Sequence, residues 1–220
     1  MLKGKRLLIL GGTSASLDVV NEAKRMGLYR VVTDDQQSGV AKDLADEAAR
    51  ISTTDMEGLL RLIQEKRIDG VFCGPSEFNL VNTMRVCRLA GLPFYATQEQ
   101  WDTCSNKQSF KGLCRRFGVP CVPEYTVTPE FRAEDLARVR YPVIVKPVDG
   151  CSSKGLSICA NEEDLKKAYA FGLSFSASRN VIVEKFIGGA GYGFSARYIA
   201  YNGDIRLSLC GDTYCVDPFQ

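Results

Sequence analysis

Apolar and polar positions follow two rhythms along this chain, and the change falls near residue 100. Up to that point short apolar runs alternate with stretches of helical spacing. Arg6 to Leu10 is the first run and ends at Gly11-Gly12-Thr13. Leu17, Val20 and Ala23 then recur on one side of a helix that stops near Gly27. Tyr29 to Thr33 predicts a second strand, ending in Asp34-Asp35. Residues 55–66 predict a helix with Leu59, Leu60 and Ile63 on its apolar side. Asp69 to Cys73 predicts a strand closed by Gly74-Pro75-Ser76, followed by a helix from Glu77 to Ala90. Gly91-Leu92-Pro93-Phe94-Tyr95 leads into a last short strand. Strands and helices alternating at this length predict parallel βαβ units. Parallel strands bring their carboxyl ends to one rim, where ligands usually sit.

The second rhythm begins after a boundary at 98–104. Cap-type residues up to Asn106 precede a helix over Lys107 to Phe117, with Phe110, Leu113, Cys114 and Phe117 as its apolar positions. Gly118 ends it, and Val119-Pro120 turns the chain. Lys107 sits in the first turn, where a cation opposes the helix dipole and an anion would relieve it. Val122 to Val127 predicts a strand and Ala133 to Val139 a short helix. The run Val143, Ile144, Val145 predicts a buried strand that delivers Lys146 to its end. A loop of small polar residues follows from Asp149 to Gly155, and Leu156 to Ala160 predicts the return strand. Asn161 caps a helix running to about Phe171, with Leu165, Ala168 and Tyr169 inward. Asn180 to Ile187 predicts the next strand, Gly188 to Gly193 a glycine-rich link. Phe194–Ala200 and Ile205–Leu209 flank Asn202-Gly203, the signal of a hairpin.

Candidate chemistry concentrates in the Lys146 hairpin. Backbone N–H groups, the hydroxyls of Ser152 and Ser153, and Lys146 and Lys154 are the donors a polyphosphate needs. The spacing is not that of the Walker loop, which requires a helix directly after Gly-Lys-Ser/Thr. A plain polar turn between two surface strands is the competing reading. In the first region Gly11-Gly12-Thr13-Ser14 lacks the Gly-x-Gly-x-x-Gly spacing, although Asp34 and Asp35 lie about where a ribose-binding acid would. A tight strand-to-helix turn is favoured there over a dinucleotide site. A substrate-contacting rim shared with Gly74-Pro75-Ser76-Glu77 is the third option.

Composition removes several classes. The 220 residues are 45% hydrophobic and 25% charged, which is ordinary for a globular protein. The formal charge of +2 gives no global case for nucleic acid or a membrane surface. No apolar stretch approaches the roughly 20 residues of a membrane span. There is no histidine, so Ser-His-Asp and Cys-His catalysis are excluded within this chain. The nine cysteines are scattered singly, without a Cys-x-x-Cys pair. That argues against a zinc site and for a cytoplasmic protein whose thiols are reduced, most of them filling the core.

Three spaced features, taken together, carry a family resemblance. They are Asn106-Lys107 opening a helix that ends in Gly-Val-Pro, Tyr-Pro-Val-Ile-Val-Lys-Pro with its Gly/Ser loop, and Val-Ile-Val-Glu-Lys-Phe-Ile. In order and separation they resemble the ATP-grasp superfamily, the group of carbamoyl-phosphate synthetase, biotin carboxylase and D-alanine ligase. The resemblance implies an α/β fold: a parallel Rossmann-like pre-ATP-grasp domain over 1–100, and an α+β N-terminal (lid) subdomain of the grasp fold over 101–190. Residues 191–220 would be the first hairpin of a truncated C-terminal subdomain.

The same resemblance implies roles. Lys107 and Lys146 are similar to the family's two phosphate-contacting lysines. The loop from Gly150 to Gly155, with Ser152, Ser153, Lys154 and Gly155, resembles the lid over the phosphates. Glu184, Lys185, Phe186 and Ile187 resemble the adenine hinge, with backbone groups of Lys185 and Ile187 on the base edge, the Glu184 carboxylate near the exocyclic amine, and Phe186 or Ile144 against the ring. Many members carry a ribose-binding acid where this chain has Gly191. The implied cofactors are ATP and Mg2+, with no metal ligand in this chain; those ligands and the catalytic residues are expected beyond residue 220. The implied partners are a small-molecule carboxylate and an amine, and a homodimer is compatible with the family. The expected activity is that of the N-terminal portion of an ATP-dependent carboxylate–amine ligase working through an acylphosphate, with this chain inactive alone. A non-catalytic nucleotide-binding or dimerisation module is the alternative. A nicotinamide oxidoreductase would explain nothing after residue 100.

Overall fold

The computed structural model describes residues 2–188 and 192–214. The chain forms two compact units, Met1–Gln100 and Trp101–Gln220. In the first, β1 (Arg6–Leu10), β2 (Tyr29–Asp34), β3 (Glu47–Arg50) and β4 (Gly70–Cys73) make a parallel sheet in the order β3-β2-β1-β4. Between them run α1 (Leu17–Arg25), α2 (Val40–Asp43), α3 (Met56–Glu65) and, after β4, α4 (Glu77–Ala90). The period-2 alternation of a strand divides its side chains between two faces. Leu8 and Leu10 with Val31 point to α3 and α4, where Leu59, Leu62, Ile63, Val86 and Cys87 cover them. Ile9 and Val32 point the other way, onto Val20 of α1 and Ala41 of α2. From Leu7 to Leu10 the strand β1 is therefore apolar, as a parallel sheet covered on both faces requires.

Sequence patterning misses α2 and β3. The strand Glu-Ala-Ala-Arg is short, lies at the sheet edge and alternates charge with alanine, so it lacks a hydrophobic signature. Polar contacts hold it instead. The Arg30 guanidinium grips both Asp46 oxygens at 2.7 and 2.8 Å and donates to the Leu44 carbonyl at 2.9 Å. The opposite error occurs at 91–95, where no strand forms. Gly91 ends α4 in the left-handed conformation (φ 66°), and Leu92 and Phe94 pack onto the core without a ladder.

The helix α5 (Gln98–Ser105), which carries no sequence signature of its own, starts in the last residues of the first unit and leads into α6 (Lys107–Arg116) of the second. An antiparallel sheet follows, ordered β5-β8-β6-β7. Its strands are β5 (Glu124–Tyr125), β6 (Val143–Pro147), β7 (Ser157–Cys159) and β8 (Val181–Lys185), with α7 (Ala133–Leu136) and α8 (Glu162–Ser174) between them. The expected strand over 122–127 shrinks to two residues because the run is broken by Pro123, which cannot donate to a ladder. The short helix likewise ends at Leu136, and α8 runs on to Ser174. Val143, Val145, Val181 and Val183 meet Leu165, Ala168 and Tyr169 of α8 in a single core. The hairpin of β9 (Tyr192–Tyr201) and β10 (Asp204–Tyr214) turns at Asn202-Gly203, both at positive φ. It is longer than the pattern predicts, and its side chains from Phe194 to Leu209 are exposed.

Candidate functional site

Strand alternation sorts the residues of β6. Val143 and Val145 go under α8, so Ile144 and Lys146 face the other side of the sheet. In the register with β8, Ile144 lies opposite Glu184 and Lys146 opposite Ile182. Lys146 and Glu184 are then diagonal neighbours on one face. The Lys146 ammonium donates to Glu184 Oε2 at 2.6 Å. On the far side Lys111 donates to Glu184 Oε1 at 2.5 Å. Glu184 is 5% exposed. Burial pushes its carboxyl upward, but the hydrogen bonds from Lys111 and Lys146 outweigh that and hold it below the usual carboxylate range.

Helix α6 supplies the second cation. Asn106 caps it, accepting from the Gln108 and Ser109 N–H groups at 3.0 Å. Lys107, its first residue, donates its backbone N–H to Val148 and its ammonium to the Gly150 carbonyl at 2.7 Å. The expected apolar face of this helix is only partly realised. Phe110 and Phe117 are 47% and 70% exposed, and the residue buried is Lys111.

Lys107, Lys146, Gly150, Ser152, Ser153 and Lys154 line one cavity of about 190 Å³. Its wall is the β6–β7 loop. Ser152 and Ser153 are successive non-glycine residues at φ 54° and 57°, a conformation costing roughly 1–2 kcal/mol each. Among the described residues neither N–H has a protein partner. Asp149 ties the loop's root down, accepting the Ser176 hydroxyl at 2.6 Å and the Ser178 N–H at 2.7 Å. Gly155 closes the loop at φ 73°, where a Cβ would stand 2.7 Å from Phe175 Cβ and 2.8 Å from Pro147 Cγ. Asp149 and Gly155 are thus structural supports of the cavity wall.

The end of β8 is shaped by two prolines. The Lys185 N–H donates to the Pro123 carbonyl at 3.0 Å and the Phe186 N–H to Pro142 at 3.1 Å. Those two donors are consumed within the sheet. Pro123 has no N–H to return, so the Lys185 carbonyl lacks the ladder donor a residue other than proline would supply. Phe186 is half-buried, and Ile187 is 69% exposed. Gly191, where the family's ribose-binding acid was expected, lies outside the described residues.

The first unit has its own cavity, of about 560 Å³, at the carboxyl rim of the parallel sheet. Gly11, Thr13, Asp35, Thr54, Gly74 and Ser76 are among its lining. Asp34, the residue a dinucleotide would need, is already engaged. It accepts the Gly12 N–H at 2.6 Å and the Gln36 N–H at 3.0 Å, and pairs with buried Lys42 at 2.7 Å. A Cβ on Gly12 would lie 2.4 Å from Asp34 Oδ2, so this glycine permits a turn around a carboxylate, not a pyrophosphate approach.

Sequence reasoning missed Lys111. The only trace of it in the sequence is its place one helical turn after Lys107, which puts it on the same side of the helix as that lysine. Among the described residues no group of three or more Cys, Asp or Glu side chains is arranged to hold a metal ion. No helix there is long and apolar enough to cross a membrane.

Comparison with known proteins gives a consistent result. The family model described as D-ala D-ala ligase C-terminus matches residues 93–211, more than half of the chain. A formate-dependent phosphoribosylglycinamide formyltransferase of Methanocaldococcus jannaschii is 26% identical over 194 residues, 85% of this chain and 49% of that protein. Among solved structures, the N5-carboxyaminoimidazole synthetase of Staphylococcus aureus, complexed with ADP, superposes with a TM-score of 0.78 at 18% identity. It covers 100% of this chain and 57% of its own. The biotin carboxylase domain of the Hydrogenobacter thermophilus 2-oxoglutarate carboxylase, solved with MgADP and bicarbonate, gives 0.73 at 22% identity, covering 88% and 46%. At those identities the structures establish a shared fold. The chain spans about half the length of the curated relatives it matches.

Proposed function

The chain belongs to the D-ala D-ala ligase C-terminus family of ATP-grasp proteins, and from that premise we propose that it binds the nucleotide of an ATP-dependent carboxylate–amine ligase. The convergence of Lys107 and Lys146 on one cavity walled by the Ser152-Ser153 loop carries the reading. Two ammonium groups and two unpaired backbone N–H groups are the donor set that a polyphosphate takes up. On binding, Lys107 exchanges the Gly150 carbonyl for a phosphate oxygen. Lys146 keeps Glu184 and turns its remaining protons to the same phosphates. The adenine edge meets the Lys185 carbonyl and the Ile187 N–H, with Phe186 against the ring. Glu184, whose two oxygens both accept from lysines, serves the phosphate end by orienting Lys146.

In the whole protein a substrate carboxylate attacks the γ-phosphorus, the bond to the β-bridging oxygen breaks, and ADP leaves. An amine then attacks the acylphosphate carbonyl carbon, and the C–O bond to the phosphorus-bound oxygen breaks. Inorganic phosphate departs with the electron pair, and the nitrogen gives up a proton to leave a neutral amide. Magnesium would neutralise charge on the terminal phosphates, and no described residue is assigned to it. The rim cavity of the first unit is proposed for a small polar substrate, supported by its hydroxyls and the Asp35 carboxylate. The cytoplasm, with its reduced thiols, is the compartment proposed for it; the eight described cysteines are all free.

Isothermal titration with ADP tests the site. The wild-type protein is expected to bind, and Lys107→Met and Lys146→Met each to weaken binding at least tenfold while remaining folded by circular dichroism. Absence of ADP binding to the wild type would reject the nucleotide reading.

A further inference from the structure

Lys111 has no place in the binding scheme above, yet it is the most buried residue of α6, at 8% exposure. Its ammonium has three protons and three acceptors: Glu184 Oε1 at 2.5 Å, Glu124 Oε1 at 2.7 Å and the Val122 carbonyl at 2.8 Å. It is saturated, so it has no proton for a ligand. Lys146 differs. Its side chain is 27% exposed against 10% for Lys111, it lines the cavity, and one of its three protons goes to Glu184. The Glu184 carboxylate between them carries one negative charge for two ammonium groups. Glu124 answers the rest of Lys111 and is itself paired with Arg115.

We infer that Lys111 is a positioning residue, which neutralises Glu184 from behind so that the charge of Lys146 stays available to a phosphate in the cavity. This rests on the nucleotide reading of that cavity. The physical reason is charge balance at a buried group. With Lys111 present, the carboxylate is compensated on one oxygen and can orient Lys146 through the other without cancelling it. With Lys111 gone, Glu184 has Lys146 as its only cation, and the 2.6 Å pair they already make holds the full charge of both, in competition with the ligand. The helix makes the arrangement economical in residues. Positions four apart share a face, so one turn of α6 presents Lys107 to the loop and Lys111 to Glu184 of β8.

The test uses the 220-residue protein with Lys111→Met, Lys111→Gln and Lys111→Arg, titrated separately with ADP and adenosine and followed by NMR. Gln loses the charge and one of the three donated protons but keeps an N–H donor for Glu184, which guards against a Met variant that does not fold. ADP binding is expected to weaken about tenfold in the Gln and Met variants, with adenosine within twofold of wild type and Arg restoring ADP. Equal losses for ADP and adenosine, or no loss for either, would overturn the inference, since a purely structural lysine affects both alike. If the wild type binds no ADP, the nucleotide reading has failed, and Lys111 is judged on a second readout. The Glu184 carboxyl carbon, labelled with 13C, is expected to titrate at higher pH in Lys111→Gln than in wild type and to return in Lys111→Arg. An unchanged titration overturns the coupling on its own.

Discussion

Replacing Gly155 by alanine isolates the close packing that holds the cavity wall. The backbone there is left-handed at φ 73°, and an L-residue in that region costs roughly 1–2 kcal/mol. The new methyl would also meet two carbons closer than 3.0 Å: Phe175 Cβ at 2.7 Å and Pro147 Cγ at 2.8 Å. Neither is the free end of a flexible chain. The proline ring is rigid, and the Phe175 ring lies edge-on to Phe171 with centroids 4.9 Å apart. Overpacking of this kind costs about 1–3 kcal/mol, so the total is about 2–5 kcal/mol. Gly118 separates the two contributions. It has φ 68°, and a methyl added there would meet nothing within 4 Å, so Gly118→Ala carries the backbone cost alone. Amide hydrogen exchange across β6, β7 and α8 reads the result locally. Exchange in Gly155→Ala should accelerate about 30-fold or more, and clearly beyond any change in Gly118→Ala. Equal, small effects of both substitutions would refute the argument, because they would mean that the loop moves aside at no cost.

Three further outcomes follow from the polar contacts. Lys42→Met leaves the Asp34 carboxylate buried without its cation and should cost about 3 kcal/mol in urea unfolding, much of it recovered by adding Asp34→Asn. Gly12→Ala drives a methyl into Asp34 and should destabilise the first unit by about 2 kcal/mol, while the exchange protection of β6 and β8 stays as in wild type. Burial raises the Asp149 carboxyl, but the Ser176 hydroxyl and the Ser178 N–H outweigh it and hold it below its ordinary 3.8. Its contribution is therefore present above that value and lost as pH falls through the lower folded one. Asp149→Asn should cost about 1–2 kcal/mol at pH 7, and the gap from wild type should close as the pH is taken down below 3.8.

Reading positions from the pattern succeeded where burial is one-sided or total. The apolar cores of the runs at 6–10, 29–34, 143–147 and 181–185 are there because both faces or one whole face of each strand is covered, and that necessity is written locally. It failed where polar contacts do the holding. The strand β3 is kept at its edge by ion pairs of Glu47 with Arg6 and Lys66, and α5 has no buried side chain to betray it. Phe110 and Phe117 have the spacing of an inward face and are nevertheless exposed, because hydrophobic spacing cannot tell a covered face from an exposed one.

The order of motifs, the helix cap at Asn106, the lysine at the end of β6 and the glycine hairpin are decisions of the sequence alone. Each depends on neighbours within a few residues, where propensity and alternation act. Which charge meets which is a different kind of fact. Lys111 and Glu184 are 73 positions apart, Lys146 and Glu184 are 38, and Lys107 reaches Gly150 across 43. Nothing local announces those pairings. They exist because the register of β8 against β6, and the seating of α6 near the sheet, bring the groups within hydrogen-bonding distance in a buried place where an unpaired charge would be too costly to leave.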